Sequence, residues 1–549
     1  MSKFISTKWV LILILILAAF LRFWNLGHVP PSASLDEASI GYNAYSVIKT
    51  GADEFGELPL ISQRGYDDWR RSTYLFLVVP FVALLDLNVV AVRLPAVILS
   101  VLTVLATYNV VLLLFSKRSS FSQATALMSA FLLAISPWHI YISRLGHESN
   151  ACLSFLVFGI LFFLRGQKNK KDFFLSIVFF TLSMISYYSG QALIPLLAIG
   201  LFFIFRKNTL SIVASNIKIF IIFIILVIPF VWSVFSPQAL IRFQGTSTFK
   251  PESHSEMFDE EVRLRNKAVE SNDIFGTLFY NRRVFPIKVL IQGYVSHFNP
   301  QWLFANSSNE PFKAPNMGLL YIWQIPFILI GFIVLIFTKL SDSKSKKLVL
   351  LWFFLGALPA SIATQAPHAM RSYNILPTWQ IFTALGLVYI LFKFKKINIL
   401  TSLSFLFFVS ISLVSFYKNY FIVFPKEQSG SFQYSLHSVV KFVLSNEKSY
   451  GKIVFSNKDN LYQSYMFYLF DSKYDPHLYQ SQGGTKSGGF EEAHSFGKYQ
   501  FRPIIWNKDK SLENTLLIGN GQDFPDETNT LESFKNLDGK GEIEIVEIK

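Results

Sequence analysis

Long apolar runs separated by short polar loops dominate the first 424 residues, and most have the length of a membrane-spanning helix, though a few are short. The runs fall at about 4–24, 91–115, 122–141, 150–164, 173–187, 191–205, 217–235, 317–338, 348–365, 375–392 and 397–424, giving 11 expected spans. A further run, 74–87, has 14 residues, short of the roughly 20 that a crossing helix needs. Between the first and second spans, 25–73 is polar and contains Ser34-Leu35-Asp36-Glu37. That spacing predicts a capping box, with Ile40, Ala44, Val47 and Ile48 forming one apolar face and Gly51 ending the helix. Such a helix can lie flat on a membrane surface. After residue 424 the pattern changes. Runs at 452–456, 465–470, 514–518 and 542–548 read as strands, with Gly483-Gly484 and Gly488-Gly489 between them as turns.

Composition agrees with the pattern: 52% of the 549 residues are hydrophobic, and the mean hydropathy is +0.39. The formal charge of +14 would by itself suggest nucleic acid, but the basic residues sit in short loops between spans. The tail from 425 carries 14 Lys and Arg against 17 Asp and Glu, so nucleic-acid binding is disfavoured. If 74–87 does not cross, the Lys/Arg-rich loops around Lys117, Lys168, Arg206, Lys344 and Lys395 all share the side of the N-terminus. The positive-inside rule then makes that side cytoplasmic. The 25–90 loop with its juxtamembrane helices, the long 236–316 loop and the tail are left on the extracytoplasmic face. Within 236–316, residues 256–270 read as helical and 285–298 as a second membrane-surface element. The single cysteine, Cys152, lies in an apolar run and reads as a packed side chain.

Chemistry is expected where polar residues stand in the outer loops. Asp36 and Glu37 place carboxylates in a helix's first turn, where they are available for proton transfer or simply complement the helix dipole. Ser143-Arg144-Leu145-Gly146-His147-Glu148 could bind a phosphate, a sugar or a metal, or be an interfacial loop anchored by Trp138 and Tyr141. In 365–371, Arg371 is the sole basic residue of its loop and suits a phosphate, or snorkels toward headgroups. Snorkelling is the expectation for Arg22. No P-loop, dinucleotide fingerprint, HExxH or serine elbow is present, which argues against a primary pump.

Leu35-Asp36-Glu37-Ala38, Ala91-Val92-Arg93-Leu94-Pro95, Ser143-Arg144-Leu145-Gly146 and Pro367-His368-Ala369-Met370-Arg371, in this order, resemble the GT-C membrane glycosyltransferases. The resemblance is to the protein O-mannosyltransferase and aminoarabinose-transferase group, and covers about residues 5–400. It implies a GT-C fold, an α-helical polytopic membrane protein with 1–424 as catalytic domain, to which 425–549 adds a small extracytoplasmic α/β domain. It also implies transfer of a sugar from a polyprenyl-phosphate donor, at the plasma membrane, to a protein, lipid or glycan acceptor, with inversion. Asp36 would be the catalytic base, and Arg371 would hold the donor phosphate with help from Arg144 and His368. Glu37, His147 and Glu148 are candidate acceptor or divalent-cation contacts, although no ligand spacing demands a metal. The His-Pro-Pro-Leu segment of protein mannosyltransferases is missing between 60 and 80. A lipid-linked sugar flippase, or a ligase using a diphosphate-linked glycan, is the alternative reading.

Overall fold

The computed structural model describes residues 2–66, 68–115, 119–214, 255–305, 312–394, 398–486, 489 and 492–549, with 221 and 228. The rest of the expected span 217–235, the first part of the 236–316 loop and Gly488 lie outside them. Helices α1 (Ser2–Phe23), α4 (Val89–Leu114), α5 (Ser120–Ala134), α6 (Pro137–Ser143), α7 (Glu148–Gly166), α8 (Lys170–Ser186) and α9 (Tyr188–Ala214) follow the expected runs. Among the described residues, five helical stretches are long and apolar enough to cross a membrane, or six if α5 and α6 count as one bent span. Among the described residues, length and composition alone therefore single out fewer spans than the ten expected there.

The run 122–141 is not one straight helix. It breaks at Ser136, whose side chain caps α6, and Pro137 occupies the first turn, so α5 and α6 meet at 55°. The carbonyls of Leu133 and Ala134 at the end of α5 accept from Arg22 at 3.3 and 2.9 Å, and His139 Nδ1 lies 2.6 Å from the same guanidinium. Arg22 is thus fully buried at a helix break. Snorkelling is corrected: the guanidinium is buried against the carbonyls at the helix end, and the Ala134 carbonyl takes its shorter bond there, at 2.9 Å.

Helix α2 (Leu35–Thr50) has the expected capping box, Ser34 accepting from the Glu37 N–H at 3.3 Å and Glu37 from the Ser34 N–H at 2.9 Å, and Gly51 ends it at φ 77°. It does not lie on a surface. Ile40, Tyr42 and Ala44 are fully buried, and a Cβ on Gly41 would fall 2.6 Å from Phe470 and 2.8 Å from Val92. The helix is clasped between the helix Thr73–Leu85, α4 and the C-terminal region, so its width of apolar surface reflects several partners instead of one. The hairpin β1 (Ser62–Gly65) with β2 (Asp68–Arg71) follows, then α3 (Thr73–Leu85), whose 13 residues span about 20 Å, less than a bilayer core.

Further on, α10 (Ser255–Glu270), α11 (Ile274–Phe279) and α12 (Phe285–Ser296) form the described part of the long loop, and α12 exposes Ile287, Ile291 and Val295 along one side. Helices α13 (Gln324–Phe337), α14 (Ser343–Gly356), α15 (Thr378–Lys393) and α16 (Asn398–Phe416) complete the bundle. α14 stops nine residues before the expected 365, at Gly356, where a Cβ would stand 2.6 Å from the Ile375 Cα.

The tail forms α17 (Tyr434–Asn446), β3 (Lys452–Phe455), α18 (Ser464–Ser472), β4 (His494–Phe496), β5 (Tyr499–Phe501), β6 (Thr515–Gly519), β7 (Glu532–Phe534) and β8 (Ile543–Ile548). The sheet order is β4-β5-β3-β6-β8-β7, with β3 parallel to both β5 and β6. Three of the four expected strands are present. The fourth, 465–470, is instead the buried centre of α18: an apolar run this short does not distinguish a strand from a helix enclosed on all sides. One face of the sheet, with Ile453, Leu516 and Ile543, belongs to the same apolar cluster as Ile40, Tyr42 and Phe470, which joins the tail to α2 without a gap.

Candidate active site

The segment 21–37, which delivers Asp36, is tied down carbonyl by carbonyl. Arg93 of α4 donates to the Leu26, Pro30 and Ser32 carbonyls at 2.9, 3.0 and 2.6 Å. Arg144 donates to those of Leu21, Arg22, Asn25 and Val29 at 2.7–3.4 Å and stacks against Tyr420 and Phe421. Irregular backbone at this depth needs such partners, because its polar groups are withdrawn from water. Arg144 is fully buried with its Nη1 and Nη2 donors spent on these four carbonyls, so its guanidinium serves the backbone where a phosphate contact was expected.

Glu37 turns inward from the same helical turn. Arg93 holds it bidentately at 2.7 and 2.9 Å, and the Gly146 N–H donates to it at 2.8 Å. Burial alone would raise its carboxyl, but Arg93 and the two backbone N–H groups of Ser34 and Gly146 bring it below the usual range. Its oxygens are therefore engaged by the protein, where a substrate or metal contact was expected, although the residue also stands on the wall of the larger cavity described below. Gly146 is required at this point: a Cβ would lie 2.6 Å from Val92 and 3.2 Å from Glu37 Cγ.

Asp36 points the other way. Its side chain is 46% exposed, and its Oδ1 lies 2.7 Å from Arg70 Nη2. It borders two cavities. One, of about 170 Å³, is polar, lined by Asp68, Arg70, Arg71, His147, Glu148 and Tyr188 among others. The second, of about 340 Å³, is more apolar, with Leu35, Leu145, Phe312, Met370 and Phe432 on its walls and Tyr462 reaching in from the tail. Asp36 and His147 line both. His147 accepts the Ser149 N–H on Nδ1 at 3.1 Å, which leaves its proton on Nε2, 3.3 Å from Glu148.

The 365–371 loop is joined to this region through Trp138, whose indole N–H donates to the Ala369 carbonyl at 2.9 Å. Trp138 and Tyr141 are buried, so they hold protein to protein and are not interfacial anchors. His368 stacks on Phe312, a wall of the larger cavity, and Arg371 follows Met370, another wall. Burial, then the positive Arg371 and neighbouring His297 and His147, push His368 down to about 3, so it is neutral at pH 7. Arg371 is partly exposed and donates to the Thr364 carbonyl at 2.5 Å. Asp36, His147 and Glu148 are thus brought together, with His368 and Arg371 behind the adjoining wall. Glu37 and Arg144 belong to the supports.

The sequence reading gave Arg70, Arg71, Asp68 and Tyr462 no role. Three of them were in view: Asp68-Trp69-Arg70-Arg71 packs three charges against the start of an apolar run. Nothing in the sequence signalled that a hairpin would fold Arg70 back onto Asp36. Among the described residues, no group of three or more His, Cys, Asp or Glu converges as a metal site.

Residues 73–235 match the family model described as dolichyl-phosphate-mannose-protein mannosyltransferase. The fold is similar to that of ArnT from Cupriavidus metallidurans, solved bound to undecaprenyl phosphate, with TM-score 0.54, 10% identity and 98% of each chain covered. It is also similar to the archaeal oligosaccharyltransferase AglB from Archaeoglobus fulgidus, solved with an inhibitory peptide and a dolichol-phosphate. There the TM-score is 0.50 and the identity 13%, over 86% of this chain and 64% of that one. This chain therefore spans a little under two thirds of AglB, and at these identities the likeness to both is one of fold. No curated protein matches the sequence. The resemblance to the GT-C membrane glycosyltransferases is borne out by the family match and by these folds together.

Proposed function

We propose that this chain, GT-C in its resemblance and similar in fold to two proteins solved with polyprenyl phosphates, is a membrane glycosyltransferase. In this reading it moves a sugar from a polyprenyl-phosphate donor to an extracytoplasmic hydroxyl, with Asp36 as catalytic base. The observation that carries the reading is the position of Asp36: half exposed, gripped by Arg70, and shared by one polar and one apolar cavity.

The apolar cavity takes the donor's first isoprene units, with the phosphate toward Arg371 and neutral His368. The acceptor enters through the polar cavity, between Arg71, Glu148 and Tyr188. Asp36 removes the proton of the acceptor hydroxyl as its oxygen bonds to the anomeric carbon, and the bond from that carbon to the phosphate oxygen breaks with its electron pair. The leaving phosphate is already a weak base, so it needs charge stabilisation more than a proton, and Arg371 supplies that. The reading sets the N-terminus in the cytoplasm and the tail outside.

The test is release of undecaprenyl phosphate from a panel of labelled undecaprenyl-phosphate monosaccharides by the full-length protein in vesicles. Asp36→Asn should lower release by about 10²–10⁴-fold while the protein stays folded and inserted. Unchanged release in that variant removes Asp36 from the mechanism. Movement of intact lipid-linked sugar between leaflets, without cleavage, makes the chain a flippase.

A further inference from the structure

His437 lies on α17 in the tail, yet one of its nitrogens touches the segment that carries Asp36. Its Nδ1 is 2.6 Å from Asp471 Oδ2 on α18, and its Nε2 is 3.0 Å from the Ala33 carbonyl, next to the Ser34 cap. A carboxylate and a carbonyl both only accept, so the two contacts together require a donor on each nitrogen, which is the imidazolium. The ring is buried, edge-on to Phe467 and Phe470. The same turn of chain is fastened elsewhere to the tail: Ser32 donates to the Phe432 carbonyl.

We propose that His437 is a positioning residue for Asp36, its imidazolium bridging Asp471 to the Ala33 carbonyl and so fixing the start of α2 from the tail as Arg93 fixes it from α4. The proposal rests on the reading of Asp36 as base. What the tail contributes to the site is then order in the first turn of α2, since Asp36 is three residues beyond Ala33. A carboxylate must be held close to its productive geometry, because a displacement on the order of 1 Å can cost about a hundredfold in rate.

The device depends on pH. Burial opposes the charge on His437, but Asp471 and the Ala33 carbonyl outweigh it and hold the group above the usual histidine range. Lys441, one turn along α17, pushes in the opposite sense. Because the folded value is raised, the bridge is complete below the ordinary histidine range and is lost as pH rises through the folded value. The neutral ring can donate to only one of its two acceptors.

The experiment measures hydrogen exchange at amides 33–38, and transfer from an undecaprenyl-phosphate monosaccharide, in full-length wild-type, His437→Ala, His437→Gln and Asp471→Asn proteins. His437→Ala and Asp471→Asn should speed exchange at 33–38 about tenfold, leaving α7 and β3 unchanged. They should lower kcat by about tenfold to a hundredfold with KM within about twofold. His437→Gln, whose amide donates without titrating, should recover part of kcat and abolish its alkaline fall. Unchanged exchange in His437→Ala overturns the proposal. So does faster exchange with unchanged kcat, and so does exchange that rises equally in α7 and β3. If Asp36→Asn stays active while His437→Ala loosens the segment, the base assignment fails instead; if Asp36→Asn is inactive and His437→Ala is silent, this proposal alone fails.

Discussion

Arg70 Nη2 meets Asp36 Oδ1 at 2.7 Å, and the two arrive there from different elements, the second strand of a hairpin and the first turn of a helix. Arg70 is nearly enclosed while Asp36 is 46% exposed, so the pair has a fixed partner and an accessible one. Arg70 also packs over the Tyr66 ring and touches the Asp36 carbonyl. The arginine orients the carboxylate without covering it.

A half-exposed ion pair contributes about 0–1 kcal/mol to stability, because water screens it. Its effect on the proposed base is larger. Arg70→Gln should therefore leave the thermal midpoint within a few degrees of wild type and lower the transfer rate by about tenfold to a hundredfold. Arg70→Lys should recover only part, since an ammonium lacks the planar fork that reaches both the carboxylate and the carbonyl. The check is a melting curve beside initial rates. A large loss of stability with normal rates would mean that the pair is architectural.

The Glu37–Arg93 pair is the opposite case, with both side chains at most 1% exposed. Removing one partner leaves the other's charge buried, which costs about 3–5 kcal/mol. Arg93→Met also strips the carbonyls of Leu26, Pro30 and Ser32 of their donor. Chemical denaturation in detergent should show Glu37→Leu and Arg93→Met each strongly destabilised. The Leu/Met double variant should lose less than the two single losses combined, because neither charge is then orphaned. Equal and additive losses would contradict this account of Glu37.

Much of this was legible in the chain, and the rest was not for definite reasons. The capping box at Ser34 and Glu37, the Gly51 stop and the runs that became α4 and α7 follow from local spacing, which the folded environment did not need to override. Asp36 stood out because a helix N-terminus advertises itself. The destinations of Arg22, Arg93 and Arg144 were hidden, since a lone arginine beside an apolar run looks the same whether it seeks a headgroup or a backbone carbonyl 61–123 residues away. The break before α6 had a visible signal in Ser136-Pro137, a cap followed by proline, outweighed by the length of the apolar run. The approach of α18 to α2 rests on Gly41, and a glycine inside a helix does not say which partner needs its missing Cβ.

Glu54 gives a prediction from pH. It is fully enclosed where α2 meets the tail, bonded to Asn43, Tyr465 and Thr485 at 3.0, 3.0 and 2.7 Å, all of them neutral. Burial, with Asp53 adding to it, raises the group from its ordinary 4.5 to about 7 against those hydrogen bonds. An acid whose folded value is raised binds its proton more tightly in the folded state, so its contribution is greatest below pH 4.5 and declines as pH rises through about 7. Across that window the decline is on the order of 3 kcal/mol. Glu54→Gln cannot ionise and should remove this decline, so the variant should gain on wild type from pH 5 to about pH 7 and level off above it. Unfolding midpoints taken at unit steps of pH measure the difference directly, and parallel curves for the two proteins would show that Glu54 keeps the same charge folded and unfolded.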